Sequence, residues 1–530
     1  APKRDDSRMS HACALDRPSW TPPGGLSPGV LRFLVVLAML LVGPGPISYH
    51  TADWRIGAAA QVSVTVTGTF RCNGVTGPPV AAPVVKVNVN DSSTVLKNSS
   101  TEFDTVTVLD PQRVTLIDCV VRRLLLIADA MPSLNASVPV VPVYVVLRGS
   151  RITESLQIAG LLVDAYIWIE SCSVGCVPLV PSPPPVTAMP SWVKSPARWA
   201  PLYGPRSDVT LGTPAGEQAQ DIGVRMFGLV NARVTILRSH LCGRGELATA
   251  FRISSVISNS SVAFYRSKLI VAGKGKTRAA GLDIGGLTDV KCANVPVRVG
   301  RDSVIRLDDS LIWVYANDAP ALLVGFDIRG FSANAAFIVN ASRVVVGGSS
   351  SIQSFAGQVR CSVGVQFVVV DSVLSTSAYS FTIGVVLTGL RLRSSSSSVE
   401  GGVINVVFEG LTTVVESTVV MPSLDAPSPS LEDCTSTGLE ISDMLEMSLV
   451  IAPGVSVLAS GTGFGSAPAT TTILVLSTTN STLRLERCLL RAVHTSAVAS
   501  VGDLATIPLR ARPLAVQLKT LTGCHAVVDS

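Results

Sequence analysis

The chain has 530 residues, of which 47% are hydrophobic and only 15% are charged, and its formal net charge is +5 at pH 7. Globular proteins have roughly 25% charged residues, so this composition excludes a disordered chain and favours a long buried core. Basic residues are spread thinly, with Lys268, Lys274, Lys276 and Lys291 as one loose group without interleaved aromatic residues. A nucleic-acid surface needs a dense basic stripe, so we predict that no nucleic acid is bound.

Residues 1–60 are predicted to be a leader that directs the chain into the secretory pathway. An apolar segment at 30–42 follows basic residues such as Arg8 and Arg17, and glycine and proline at 43–46 end it. The segment is shorter than the roughly 20 apolar residues that a spanning helix needs. Its order of basic, apolar and helix-breaking residues is that of a secretory signal peptide. An uncleaved helix that tethers the chain to a membrane is the alternative.

A short pattern recurs from residue 114 onwards. An apolar residue, any residue and a second apolar residue are followed by two mostly polar residues, then Ser or Cys, any residue and another apolar residue. Copies lie at 114–121, 145–152, 167–174, 234–241, 262–269, 305–312, 367–374, 412–419 and 483–490. Alternating apolar residues indicate strands, and the change of phase before the Ser or Cys indicates a bend. Each unit is therefore predicted to be strand, bend and strand, with the Ser or Cys turned inward.

The spacing of the units indicates that they stack. With a degenerate copy at Ser395, the serines Ser372, Ser395 and Ser417 lie 23 and 22 residues apart, and several longer intervals are rough multiples of that length. Rungs of this length, stacked at about 4.8 Å, form a parallel β-helix. We therefore predict an all-β fold, namely a right-handed parallel β-helix (a pectin-lyase-like solenoid) behind a non-globular amino-terminal leader. A β-sandwich is the alternative.

Composition divides the predicted solenoid into two parts. The first rungs occupy residues 61–176, and residues 177–220 are rich in proline and carry Trp192 and Trp199. Because proline has no backbone N–H to donate, this segment is predicted to be a long loop extruded between rungs. The repeat continues over 221–530 and its last copy is cut short. We therefore expect the chain to be the amino-terminal part of a longer protein.

Cysteines and glycosylation sequons both favour export. Ten of the eleven cysteines follow the leader, an even number that suits disulfides, although three of them occupy the Ser position of the repeat. The disulfide candidates are Cys72, Cys119, Cys172, Cys176, Cys242, Cys292, Cys361, Cys434, Cys488 and Cys524. The Asn-x-Ser/Thr sequons predict N-glycosylation at Asn90, Asn98, Asn135, Asn259, Asn340 and Asn480. Together with the leader, they predict a glycoprotein on the extracellular face of the cell.

Catalytic residues are not evident in the sequence. The best acidic pair is Asp308 and Asp309, with Asp302 nearby, and paired carboxylates are what a polysaccharide lyase or hydrolase would use. The equivalent positions of other copies hold Leu-Arg, Tyr-Arg and Glu-Arg, which favours ordinary outward residues. The Gly-His-Gly pattern typical of polygalacturonases is absent. We predict a non-enzymatic protein, with a carbohydrate-active enzyme on the same fold as the alternative.

A metal or cofactor site is not predicted either. Cys172 and Cys176 are closely spaced, but the five histidines are scattered along the chain. Structural metal sites need several clustered ligands, so these two cysteines are predicted to form a short disulfide or to be two buried thiols.

The leader has the most specific resemblance to a known family. Residues 9–20, Met-Ser-His-Ala-Cys-Ala-Leu-Asp-Arg-Pro-Ser-Trp, and the apolar run after them resemble the start of the dispersed gene family proteins of trypanosomatid parasites, as do the rungs at 369–372 and 414–417. The resemblance implies a very large, multicopy, glycosylated surface protein, with membrane segments beyond residue 530. It implies adhesion to host cell-surface or matrix components, and it supplies no established catalytic residues that could be carried over to this chain.

Overall fold

The computed structural model is an all-β parallel solenoid, which confirms the predicted parallel β-helix. It describes residues 62–67, 71–72, 85–87, 93–97, 103–109, 113–127, 143–176, 222–245, 247–254, 257–273, 278–285, 300–316, 322–347, 353–378, 381–389, 404–419, 435–442, 444–463, 469–496 and 514–529. The leader at 1–60 and the proline-rich segment at 177–220 lie outside these ranges, so the predictions for them stay predictions. No helix within the described ranges is long and apolar enough to cross a membrane.

Successive turns of the chain add parallel strands to three walls. The first wall consists of Ser93–Lys97, Arg113–Ile117, Tyr144–Arg148, Tyr166–Glu170, Arg233–Leu237, Ser261–Tyr265, Val304–Asp308, the second halves of Phe331–Asn340 and Gln353–Val370, Ile404–Glu409, Met447–Ile451, Thr482–Glu486 and His525–Asp529. The second wall consists of Ser173–Val174, His240–Gly245, Lys268–Gly273, Leu311–Ala316, Arg343–Val346, Val373–Ala378, Val414–Val419, Ser456–Gly463 and Leu489–Ser496.

The third wall contains the longest strands. It consists of Phe103–Leu109, Cys119–Ile127, Arg151–Val163, Ile222–Val230, Thr249–Ile253, Arg278–Ile284, Leu322–Arg329, the first half of Gln353–Val370, Phe381–Gly389, Thr435–Ser442, Ala469–Thr479 and Leu514–Thr522. Three short strands, Ile257–Ser258, Gly300–Arg301 and Met444–Leu445, continue it. At the amino-terminal end, Val62–Thr67, Arg71–Cys72 and Val85–Val87 pair antiparallel.

The walls enclose an apolar core built from columns of aligned side chains. In the first wall, Val145, Ile167, Val234, Val262 and Ile305 lie at the same position of five successive rungs, and all are fully buried. Alternate residues of a strand point to opposite faces, so their neighbours form outward columns in the same register. Each rung therefore adds one layer to the core and one row to the outer surface.

The repeated sequence pattern forms the corner between the first and second walls. The residue before the Ser or Cys has a positive φ, as in Arg238, Arg266 and Asp309, and this turns the chain. The backbone N–H groups of Ser239 and Ser267 donate to the hydroxyl of the corner serine in the next rung, at 3.2 and 3.1 Å. The accepting hydroxyls, those of Ser267 and Ser310, also donate to the carbonyl two residues before them. The predicted bend and the inward Ser are thereby confirmed.

Two details of the predicted spacing are wrong. In the rung after Ser372, the corner hydroxyl belongs to Thr413, whose Oγ1 accepts from the Ser372 N–H at 3.4 Å. Ser417 lies within the second-wall strand Val414–Val419 and its side chain is buried. The corner residues Ser372 and Thr413 are 41 residues apart, and other successive corner residues are 28, 43, 32 and 30 residues apart. Rung length varies because the connections between the strands differ in length, while the corner is kept.

Candidate functional site

The outer face of the first wall exposes side chains that could contact a ligand. Tyr144 and Val304 have 47% and 37% of their surface exposed, although both belong to regular strands. The outward columns of this wall also hold Arg148, Arg233 and other polar residues. A face that keeps large side chains in contact with solvent is the place where a partner can bind without unfolding the scaffold.

Three of the aromatic side chains on this face lie close together, in two neighbouring strands. Tyr144 and Tyr166 are register partners, and their ring centroids are 6.3 Å apart. Tyr166 and Trp168 are two residues apart on the same strand, so they point to the same side, and their ring planes lie within 15° of each other. We call Tyr144, Tyr166 and Trp168 the aromatic shelf.

Glu170 connects the aromatic shelf to the corner. Trp168 Nε1 donates to Glu170 Oε2 at 3.3 Å, Arg148 Nε donates to the same oxygen at 3.0 Å, and Arg238 pairs with Oε1. The hydrogen bond from Trp168, followed by that from Arg238, lowers the pKa of Glu170 below its ordinary value. Glu170 therefore fixes the edge of the indole ring and neutralises charge between two arginines.

A cleft of about 500 Å³ lies beside Glu170, at the junction of the first wall and the corner. Its lining consists of Leu237, Arg238, Tyr265, Arg266, Asp308 and Asp309, which come from three successive rungs. Asp308 ion-pairs with Arg306 and its Oδ1 accepts from Asn340 Nδ2 at 2.8 Å, while Asp309 pairs with Arg266 at 3.3 Å. The cleft therefore combines one aromatic ring and one leucine with fixed donors and acceptors. Small-ligand sites also combine apolar side chains with fixed polar groups, and apolar residues predominate in them.

The three acids singled out in the sequence are not all brought together. Asp308 and Asp309 share the cleft with two arginines. Asp302 precedes the strand Val304–Asp308, so it lies at the opposite end of that strand, where it pairs with Arg301 and accepts from Asn334. The cleft therefore holds one carboxylate pair, and each carboxylate is already paired with an arginine.

A buried ionic cluster occupies the outer side of the third wall. It comprises two aspartates and four arginines: Asp283, Asp327, Arg252, Arg278, Arg329 and Arg360. Asp327 Oδ2 accepts from Arg329 at 2.6 Å and from Arg360 at 2.8 Å. Burial alone would raise the pKa of Asp327, but its arginine neighbours outweigh burial and hold that pKa at about 2. Because this cluster is buried, we assign it a role in stability.

One disulfide joins cysteines that are far apart in the sequence. Cys176 bonds Cys242 across 66 residues, so it closes the chain around the proline-rich segment. The predicted short disulfide between Cys172 and Cys176 is therefore wrong. Cys172 is a buried thiol in the corner position, and burial raises its pKa to about 12. A buried thiol with this pKa is unreactive at neutral pH.

The other described cysteines differ in their position and bonding state. Cys119 is buried in a corner and its strand register places it opposite Cys72, while Cys361 is disulfide-bonded. Cys488 and Cys524 are partly buried thiols. Cys292 and Cys434 lie outside the described residues. Within the described ranges, no three Asp, Glu, His or Cys side chains are grouped so that they could hold a metal.

The described sequons lie at corners. Asn259 and Asn480 are exposed, and both have a positive φ that asparagine tolerates better than most residues. Asn340 ends a first-wall strand, and its amide donates to Asp308. Its sequon partner Ser342 is buried. Asn90, Asn98 and Asn135 lie outside the described residues, and glycosylation at all six stays a prediction. The turn geometry alone explains the asparagine at two of these positions, Asn259 and Asn480.

The aromatic shelf and the charge pairs of the cleft were missed by sequence reasoning. Aligning the repeat copies by their Ser or Cys would have placed Trp168, Thr235, Ala263 and Arg306 in one outward column. No pattern would have revealed Tyr144, which precedes the first apolar position of its copy.

No protein-family model matches the chain, and no curated protein matches it significantly.

Proposed function

We propose that this chain is a non-enzymatic, exported β-solenoid of a parasite surface that binds host cell-surface components through the open face of its first wall. The observation that carries the proposal is the cleft between Leu237 and Asp309, which adjoins the aromatic shelf on that face. The signal-like leader and the resemblance to the dispersed gene family support placement at the cell surface. A rigid solenoid suits this role because outward residues can change without disturbing the core.

The geometry favours binding over catalysis. A glycosidase needs two carboxylates in distinct roles, one of which donates a proton. Here Asp308 is held by Arg306 and Asn340, and Asp309 is paired with Arg266. Both carboxylates are therefore held as ionised partners of arginine side chains, and neither is placed to donate a proton. Asp302 lies at the other end of the strand Val304–Asp308, too far away to act as the second catalytic carboxylate.

The test is binding of the secreted, fluorescently labelled full chain to intact mammalian cells over a concentration series. We expect saturable binding that unlabelled chain displaces and that the double variant Tyr265→Ala, Arg266→Ala weakens at least tenfold. Phe227→Ala is the matched control, because Phe227 is an exposed aromatic residue of the third wall. Binding that does not saturate, or that both variants affect equally, would contradict the proposal.

A further inference from the structure

We propose that the proline-rich segment, residues 177–220, docks on the outer face of the second wall of its own chain. The surface that receives it consists of the Cys176–Cys242 disulfide, Ile270, Trp313 and Tyr315, and we call it the second-wall patch. The proposal does not depend on what the first wall binds. Three observations support it: the burial of the patch, the position of the segment's two ends, and the composition of the segment.

The second-wall patch faces outward, yet it is buried. Cys242, Ile270 and Trp313 are register partners in three successive strands, and they alternate along those strands with residues of the main core. Ile270 is only 4% exposed, whereas the outward residue Tyr144 of the first wall is 47% exposed. Register neighbours cover a side chain from the sides, and so low an exposure also requires a layer above it. The patch is therefore covered by a part of the chain outside the wall.

Two aromatic rings give the patch a flat apolar surface. Trp313 and Tyr315 are two residues apart on one strand, so their side chains point to the same side. Their ring centroids are 4.9 Å apart and their planes lie within 30° of each other. Burial raises the pKa of Tyr315 to about 12, which agrees with a covered ring. Surfaces lined with aromatic rings are those on which proline-rich peptides dock.

Both ends of the proline-rich segment lie at the patch. The chain leaves the second wall at Cys176, which is bonded to Cys242 within the patch. A side chain on Gly175, just before the segment, would collide with the carbonyl oxygen of Cys242, and a side chain on Gly223, just after it, would collide with the same atom. The segment therefore begins and ends beside the surface on which we propose that it docks.

The length of the segment suits this role. Two steps of about 4.8 Å separate the strands of Cys242 and Trp313, so the patch extends about 10 Å along the solenoid axis. At about 3.3 Å per residue, half of residues 177–220 would reach roughly 70 Å. Residues 274–277 and 317–321, which lead from the same rungs to the third wall, are too short to cross a strand and return.

The composition of the segment matches the patch. Residues 177–220 contain ten prolines and three aromatic residues, and Lys194 and Arg198 are the only charged residues between positions 177 and 205. Proline has no backbone N–H, so a proline-rich peptide leaves fewer donors unpaired when it lies on an apolar face. A segment of this kind loses little by leaving water, and the aromatic rings of the patch provide apolar contacts in return.

The experiment is photo-crosslinking of the full chain with p-benzoylphenylalanine in place of Trp313. Mass spectrometry of the irradiated chain identifies the peptides that lie on the patch, and mixing isotopically light and heavy chains separates crosslinks within one molecule from those between two copies. We expect most crosslinks to join position 313 to residues 177–220 of the same molecule. The matched control carries the probe in place of Tyr144 on the first wall, and should give at least tenfold fewer crosslinks to that segment.

A second measurement replaces residues 180–217 with a short Gly-Ser linker and keeps the disulfide. Hydroxyl-radical oxidation of Trp313 should then increase at least about fivefold, because its cover is removed. Oxidation of Trp168 on the first wall should stay within about twofold, which shows that the solenoid is still folded.

Crosslinks from position 313 mainly to residues 420–434, mainly to a second copy, or to no peptide would overturn the proposal. So would unchanged oxidation of Trp313 in the linker variant. Neither measurement involves the ligand of the first wall. Cell binding therefore tests the proposed function separately, and each proposal can fail while the other stands.

Discussion

The first and second walls are built from the same repeat, yet their outer faces differ. On the first wall, Tyr144 and Val304 are substantially exposed. In the middle strands of the second wall, the outward residues Ile270, Leu311, Val345 and Val373 are apolar and at most 8% exposed, whereas Leu489 near its carboxyl-terminal end is 54% exposed. The same corner separates the two faces, so the difference lies in the outward residues and not in the backbone.

This difference shows where a ligand can bind. An outward apolar residue that is almost fully buried belongs to a face that is covered within the molecule, and its substitution affects folding. An outward residue that stays in solvent contributes little to folding, and its substitution affects binding. In our proposal, stability is therefore assigned to the middle of the second wall and recognition to the first wall.

The largest expected effect comes from placing a charge on each wall. Val345→Asp puts a carboxylate at a position that is 1% exposed, and should lower the free energy of unfolding by more than about 4 kcal/mol. Val304→Asp, on the first wall, should cost less than about 1 kcal/mol. Chemical denaturation followed by circular dichroism measures both. Equal costs would remove the distinction between the walls.

The ionic cluster of the third wall extends the comparison to a buried polar site. Asp327→Asn leaves several guanidinium groups without their buried partner and should cost about 3 kcal/mol. Asp309→Asn, which breaks an exposed ion pair of the first wall, should cost less than about 1 kcal/mol. Denaturation at pH 7 measures the two losses. An Asp327→Asn chain as stable as the parent would show that this cluster does not hold the wall.

The same aspartate predicts a pH dependence. The pKa of Asp327 is about 2 in the folded chain and 3.8 ordinarily, so the unfolded chain binds its proton first as pH falls. The stability from its ionised form is fully present above about pH 4 and is lost as the pH falls to about 2. The stability difference between the parent and Asp327→Asn should shrink over that window. A difference independent of pH would contradict this.

The corner between the walls should give an intermediate effect. Ser310 Oγ accepts from the Ser267 N–H at 3.1 Å, so Ser310→Ala leaves a buried donor unpaired and should cost about 2 kcal/mol. Ser448→Ala, at an outward first-wall position, is the control and should cost under about 0.5 kcal/mol. Thermal unfolding compares the two. If both variants are as stable as the parent, the hydrogen bonds between the corner serines of successive rungs contribute nothing to stability.

The smallest expected effect is a change in the pKa of Glu170 on the first wall. The hydrogen bond from Trp168 is the main cause of the lowered pKa of Glu170, so Trp168→Phe should raise that pKa towards 4.5. Tyr166→Phe keeps the indole and should leave it unchanged. Carboxyl carbon shifts of labelled glutamate report both pKa values by NMR. A Glu170 that titrates identically in all three chains would mean that the indole does not hold it.

The corner could be predicted from the sequence, because its geometry demands particular residues locally. The Ser of each copy makes contacts two residues back and one rung forward, so the same short pattern recurs. Ser417 was misassigned because Val-Val-Glu-Ser imitates the pattern, while Thr413 fills the corner with a different hydroxyl. Contacts between rungs were not predictable, since Asp327 and Arg360 or Cys176 and Cys242 meet across insertions of variable length.

The contrast between the walls is tested most directly by thiol labelling of Val304→Cys and Val345→Cys in the folded chain. Peptide mapping after timed exposure to iodoacetamide gives the rate at each new cysteine, separately from native thiols such as Cys488 and Cys524. We predict that the new thiol in Val304→Cys is alkylated at a rate within about tenfold of that of a thiol in unfolded protein. The new thiol in Val345→Cys should be alkylated at least about a hundredfold more slowly than a thiol in unfolded protein. Equal rates at the two positions would contradict the assignment of recognition to the first wall.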